Sequence, residues 1–208
     1  MNADYEPTPS PSQEGSRAAS PVPLLGGVRG GLVSARPNSR CELEKLAFIA
    51  LGSNLGDPKQ NVLRAMDRLQ ELSDSPLIRS SLWQSTPVDC PPGSPSFINA
   101  VVGLLPGPCV TAESLLDRLQ SLEQEFGRRP KSVLNEPRPL DLDLICFRQE
   151  LRDSKRLTLP HPRAHLRRFV LQPLSEIAAD LVFPGQLLSV RQLFETLHSP
   201  EKTFRLNR

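Results

Sequence analysis

Apolar residues first gather into an unbroken run at Leu46-Ala47-Phe48-Ile49-Ala50-Leu51, the pattern of a buried strand. Gly52-Ser53-Asn54-Leu55-Gly56 follows as a predicted turn, its glycines allowing a tight backbone path. Asp57 and Pro58 are helix-start residues, and Val62, Ala65, Met66, Leu69 and Leu72 then repeat at helical spacing. Leu77 to Ser85 reads as extended, a loop with four prolines spans 86–96, and Phe97-Ile98-Asn99-Ala100-Val101-Val102 is the next strand. Thr111 suits the N-cap of a second helix whose stripe is Leu115, Leu119, Leu122 and Phe126, with Gly127 as its stop. A loop from Arg128 to Pro139 leads into a strand running from Arg138 to Phe147.

Strand, helix, strand, strand, helix, strand is the order of an α+β, ferredoxin-like βαββαβ core, with a mainly antiparallel sheet and helices on one face. The rest is a C-terminal elaboration. Leu157-Thr158-Leu159-Pro160 is short and extended, 163–178 is partly helical with a break expected at Pro173, and Ser189 opens a helix reaching Leu197. Residues 1 to about 44 are rich in Pro, Ser and Gly and have no period, so disorder is expected there. The domain is therefore bounded at 45–198, with 199–208 as a short C-terminal tail.

Composition narrows the function classes. A formal net charge of +2 over 208 residues implies neither a nucleic-acid nor a membrane partner. No apolar run is long enough to span a bilayer. Asp4 and Glu6 stand where a signal peptide would be basic, and Pro21 and Pro23 interrupt the one apolar patch near the start. Cys41, Cys90, Cys109 and Cys146 are widely spaced and form no C-x-x-C pair, so reduced thiols in a cytoplasm are expected.

The chemistry centres on Arg138-Pro139-Leu140-Asp141-Leu142-Asp143-Leu144-Ile145-Cys146-Phe147. Side chains alternate along a strand, so Asp141 and Asp143 share a face, roughly 6–7 Å apart. Two carboxylates in an apolar run need a cation or a set of donors. Oxygen-only ligation suits magnesium, which completes its shell with water and substrate phosphates. The alternative is an edge strand whose acids are solvated or paired with Arg138. The preceding loop carries Arg128, Arg129, Lys131 and Arg138, cations suited to a polyphosphate. No G-x-x-x-x-G-K-[ST] is present to cradle phosphates.

Several segments in order resemble the hydroxymethyl-dihydropterin pyrophosphokinase family. Phe48-Ile49-Ala50-Leu51-Gly52-Ser53-Asn54-Leu55-Gly56-Asp57 looks like its opening motif, and Phe97-x-Asn99-Ala100-Val101 its pterin-binding strand. Leu122-Glu123, Gly127-Arg128 and Pro137-Arg138-x-Leu140-Asp141-Leu142-Asp143 resemble its signature region. Leu159-Pro160-His161-Pro162, Arg167-x-Phe169-x-Leu171 and Pro173-Leu174-x-Glu176-Ile177-Ala178 complete the match over about residues 46–184. The resemblance implies a ferredoxin-like fold and transfer of pyrophosphate from MgATP to the hydroxymethyl group of dihydropterin, releasing AMP, in folate synthesis. It implies two magnesium ions on Asp141 and Asp143, and ATP contacts from Gln120, Glu123, Arg128, Arg138, Arg156, Thr158, His161 and Arg167. Arg128 and Arg138 would be the catalytic cations. Ser85, Val88, Phe97, Asn99 and Phe169 match the pterin pocket, the two phenylalanines sandwiching the flat ring. A monomer acting on small molecules, with no nucleic acid and no membrane, is expected.

The chain departs from the family pattern in one place above all. Leu134-Asn135-Glu136-Pro137-Arg138 stands where the family reads Arg-Trp-Gly-Pro-Arg, so the aromatic that closes over the ligands is missing. Pro130 replaces a loop arginine, and Ser85 replaces a threonine. A pterin- or nucleotide-binding paralogue with weakened transfer is the rival reading. A metal-dependent nuclease built on the two acids is a third.

Overall fold

The computed structural model of the protein describes residues 39–87, 90–128 and 136–207. Its elements are α1 (Arg40–Leu43), β1 (Ala47–Ser53), α2 (Pro58–Gln70), β2 (Ile78–Arg79), β3 (Trp83–Ser85), β4 (Phe97–Leu104), α3 (Ala112–Glu125) and β5 (Asp141–Phe147). They continue with β6 (Arg152–Asp153), β7 (Thr158–Leu159), a 3-10 turn at Ala164–Leu166, α4 (Arg168–Ala178), α5 (Val190–Thr196) and β8 (Thr203–Arg205). The sheet runs β5-β1-β4-β3-β8 with β2 also on β4, and every pairing is antiparallel. This is the ferredoxin-like α+β fold.

Helix ends follow local chemistry. Asp57 caps α2 by accepting from the Gln60 N–H at 3.1 Å, with Pro58 in the first turn, where its missing N–H costs nothing. Thr111 and Ser114 form a reciprocal capping box at the start of α3. At its end the Gly127 N–H bonds the Gln124 carbonyl at 2.9 Å, and the Arg128 N–H reaches back to the Glu123 carbonyl at 3.0 Å. That doubled closure is a Schellman motif, and it turns on the φ of +87° that Gly127 adopts freely.

Strand alternation splits the apolar residues into two cores. Ala47, Ile49, Leu51, Ala100, Val102, Leu142 and Leu144 pack with the stripes of α2 and α3 on one face. Phe48, Ala50, Val101 and Ile145 pack with Val170, Leu171, Leu174 and Ile177 of α4 on the other. Helices therefore cover both faces, not one as expected, because the C-terminal elaboration folds back over the second face.

Other expectations need correction. Pro173 lies inside a continuous α4, and the break falls at Arg167, whose backbone is extended at φ −115°, ψ 116°. The proline removes one helical N–H, but Val170, Leu171, Leu174, Ile177 and Ala178 are buried against the sheet, which outweighs that loss. Gly52 belongs to β1 and not to the turn; in 52–56 only Gly56, at φ +71°, needs the glycine backbone. The predicted strand over 77–85 is two short ones. The folded unit also extends beyond 45–198 at both ends. α1 carries a Ser39–Glu42 capping box and buries Leu43, while β8 pairs with β3 and Glu201 is buried. Residues 1–38 lie outside the described residues.

Leu43 is 5% exposed, so Leu43→Ala should cost about 2–5 kcal/mol through lost burial and a residual cavity. Urea unfolding of the full chain checks this; an unchanged midpoint would show that α1 contributes nothing to the core.

Candidate active site

Three strands bring the site together by register. Gly52 of β1 stands opposite Asn99 of β4 on one side and Asp141 of β5 on the other. Ala50 stands opposite Val101 and Asp143. Gly52, Ala50, Asn99, Asp141 and Asp143 share the α4 side of the sheet and floor a cavity of about 290 Å³. The floor needs small residues: a Cβ on Gly52 would lie 3.3 Å from Asn99 Oδ1, 3.8 Å from the Phe97 ring and 4.0 Å from Asp141 Cβ.

The two acids meet cations from three different elements. Arg128, turned inward by the end of α3, bonds Asp141 Oδ1 through Nη1 at 2.8 Å and also pairs with Glu123. Arg138 holds Asp141 Oδ2 at 2.8 Å, and Arg167, just before α4, approaches Asp143 at 3.6 Å. Both Arg138 and Arg167 also lie over aromatic rings, Phe97 at 5.8 Å and Phe169 at 5.4 Å. Each of these guanidiniums therefore links one aspartate to one aromatic wall of the cavity.

Second contacts fix these groups. Asn54 is buried at the end of β1, where its Oδ1 accepts from the Arg138 N–H at 2.8 Å and its own N–H bonds the Arg138 carbonyl at 3.2 Å. Asn99 Nδ2 donates to Ser85 Oγ at 2.8 Å, leaving Oδ1 as the acceptor beside Gly52. Glu123 Oε1 accepts from the Leu142 N–H at 2.7 Å, tying α3 to the acidic strand.

Burial shifts the charges. It pushes the Glu123 carboxyl up to about 7, against the pull of the Leu142 N–H and Arg128. Asp143 is raised, first by burial and then by Asp141, while His161 and Arg167 pull it down. Burial lowers His161, and Asp143 opposes that shift. The His161 N–H bonds the Ile145 carbonyl at 2.8 Å, and its Nδ1 accepts from the Arg163 N–H at 3.2 Å.

Most of the expected site residues converge. Asp141, Asp143, Arg138, Arg167, Ser85, Phe97, Asn99 and Phe169 line the one cavity, and Arg128 and Glu123 join it through Asp141. Gln120, Arg156, Thr158 and His161 are not in its lining. Gln120 and Thr158 are exposed, and Arg156 pairs with Asp117 on the surface of α3. Val88, Arg129, Pro130, Lys131, Leu134 and Asn135 lie outside the described residues. Sequence reasoning missed Asn54, Arg163 and Glu201. For Asn54 the signal was a polar residue fixed between two glycines; Glu201 left none, because its role depends on a pairing far away along the chain.

Magnesium fits this donor set. Among the described residues no group of three or more His, Cys, Asp and Glu could form a closed metal cage. Two carboxylates on one strand face instead match an ion that takes the rest of its shell from water and phosphate. Among the described residues Arg138 Nε is buried without a partner, a donor suited to a phosphate oxygen.

The family model described as 7,8-dihydro-6-hydroxymethylpterin-pyrophosphokinase matches residues 48–179. The chain belongs to this family. Among curated relatives, it is 40% identical over 140 residues to a 2-amino-4-hydroxy-6-hydroxymethyldihydropteridine pyrophosphokinase of Haemophilus influenzae, covering 67% of this chain and 85% of that one. It is 38% identical over 138 residues to the Pseudomonas aeruginosa protein of the same description, covering 66% and 83%. A crystal structure of a triple mutant of Plasmodium falciparum HPPK-DHPS with pteroate superposes with a TM-score of 0.56 at 12% identity, over 72% of this chain and 42% of that one. That likeness concerns the fold. Enzymes of this family transfer pyrophosphate from ATP to hydroxymethyldihydropterin in folate biosynthesis, and this chain is an ATP-dependent pyrophosphokinase. The nuclease reading of the two acids is thereby set aside. No helix among the described residues is long and apolar enough to cross a membrane.

A pH test follows from Glu123. Its carboxyl moves from an ordinary 4.5 to about 7 on folding, so the fold favours the protonated form. The stabilisation from this group is full below the unfolded value and is lost as pH rises through the folded one. Glu123→Gln keeps an acceptor for the Leu142 N–H but removes the titration. Melting temperature followed from about pH 5 to about pH 8 should fall less steeply in the variant than in the wild type; equal slopes would contradict the assignment.

Proposed function

We propose that the cavity binds 6-hydroxymethyl-7,8-dihydropterin between Phe97 and Phe169, beside a MgATP site built on Asp141 and Asp143, with two magnesium ions. The supporting observation is that the two aromatic walls, Asn99 and the two acids line the same space. A flat ring entering between the phenylalanines gains stacking area on both faces. Asn99 Oδ1, held in place by the Ser85 hydroxyl, accepts from N–H groups on the ring edge.

Magnesium bound at the acids would neutralise charge on the phosphate oxygens. The chain's own groups do the rest by position and charge. Arg138 has a guanidinium face toward Phe97 and, among the described residues, a buried Nε with no partner, so it can hold ring and phosphate in one geometry. Arg128 is anchored by Glu123 and Asp141 and keeps its charge at the acidic end of the cavity. The substrate hydroxyl oxygen attacks the β-phosphorus in line. The bond from that phosphorus to the bridging oxygen toward the α-phosphate breaks, the hydroxyl proton leaves to solvent, and AMP departs with the bridging oxygen. Gln120, Arg156, Thr158 and His161 are assigned to the nucleotide outside the ring cavity. The experiment for this reading is AMP release from MgATP in the presence of hydroxymethyldihydropterin.

Asp141→Asn and Asp143→Asn should each lower turnover roughly a hundredfold or more, the effect of losing several kcal/mol of charge stabilisation. The fold should persist, as circular dichroism would report. Transfer at the wild-type rate in either variant would remove the acids from the metal site. Gly52→Ala should raise the KM for the pterin substrate more than that for ATP, because its Cβ would crowd Asn99 and Phe97. An unchanged pterin KM in steady-state assays would put the ring elsewhere.

A further inference from the structure

The first turn of α4 carries both Phe169 and the backbone link to Arg167, yet it has no cap of its own. Arg167 stands at the N-cap position and makes no side-chain hydrogen bond to the helix. The first N–H groups of a helix need an outside acceptor, and they favour a negative one. Glu201 supplies it from 32 residues further along the chain, its Oε2 accepting from the Phe169 N–H at 3.0 Å. Burial pushes the Glu201 carboxyl up, while the N–H groups of Phe169 and Arg168 and the charges of Arg167 and Arg168 pull it down. Glu201 is 8% exposed and lines the same cavity as Phe169, Arg167 and Asp143.

The segment that carries Glu201 is tied down on both sides of the cavity. β8 pairs with β3, setting Thr203 opposite Ser85. The Thr86 N–H bonds the Lys202 carbonyl at 3.2 Å, and the Lys202 N–H bonds Thr86 Oγ1 at 3.3 Å. Toward α4, the Thr203 hydroxyl donates to Gln172 Oε1. Arg205 donates to Ser81 Oγ at 2.6 Å and approaches Glu176 at 3.6 Å. The C-terminal residues thus form a strap from the Ser85 wall to the Phe169 wall.

We propose that Glu201 is a positioning residue of the pterin subsite, capping α4 from outside at the Phe169 N–H so that the Phe169 ring faces the cavity in a fixed place. The proposal rests on reading that cavity as the pterin site. It gives the C-terminal strap a role in substrate capture beyond closing the sheet edge. Glu201 itself does not enter the transfer step; it acts through the helix end.

The test compares the full chain with Glu201→Ala and Glu201→Gln. The alanine variant loses the acceptor, so the pterin KM should rise roughly fivefold to tenfold, the factor that goes with losing one helix cap. The KM for ATP should change less than about twofold, since the cap acts on the ring wall. The glutamine variant keeps a neutral acceptor and should recover most of the pterin affinity. Hydrogen exchange at the Phe169 and Arg168 amides should be faster in Glu201→Ala than in the wild type, with or without substrates. An unchanged pterin KM, or equal rises for both substrates, would overturn the proposal even if melting temperature fell. If the wild type released no AMP, the pterin reading would fail, and unaltered exchange at Phe169 would then overturn the cap as well.

Discussion

Two partly buried carboxylates on one face of a strand must be neutralised, and much of this structure answers that demand. Asp143 is already raised by burial and by Asp141 before any ligand is considered. The cations that answer come from three places, only one of them, Arg138, close by in the chain. Arg128 arrives through the glycine-dependent end of α3, Arg138 through a loop clamped by Asn54, and Arg167 through the chain reversal before α4. Each delivery depends on a backbone feature, so the electrostatics of the site are set by the fold's turns more than by its core.

The same arrangement joins two kinds of binding surface. Because Arg138 touches Asp141 and Phe97, and Arg167 approaches Asp143 and Phe169, the acidic and aromatic parts of the cavity cannot move independently. The floor between them is made flat by Gly52 and Ala50, where a larger side chain would fill the space. Small residues in the middle of a strand weaken it in isolation. Here β1 is hydrogen-bonded on both sides, by β4 and β5, and so can carry them.

The core βαββαβ order was legible because its signals are local: periodic stripes, capping residues and glycine stops all act within a few residues of one another. The acid pair was legible for the same reason, since two charges at spacing two inside an apolar run conflict with burial wherever the strand lies. What could not be read was set by distant pairing. β8 is three residues long with no alternation to notice, and its pairing with β3, together with the contacts of Glu201 and Thr203 to α4, makes the expected tail part of the domain. Pro173 suggested a break because propensity penalises it, but the buried stripe around it prevails. Gly52 was read as turn chemistry when its actual constraint is close approach across the sheet.

Charge balance explains why magnesium belongs to the functional reading. Asp141, Asp143 and Glu123 are matched by Arg128, Arg138 and Arg167, three acids against three guanidiniums. A triphosphate entering such a site brings several negative charges that these arginines, already engaged, cannot absorb alone. Drawing them fully onto phosphate would leave the carboxylates buried and unpaired, which is costlier than either state intact. Divalent cations held at Asp141 and Asp143 would resolve the conflict, because they would satisfy the acids while the arginines served the phosphates. Until then the arginines hold the acids in place.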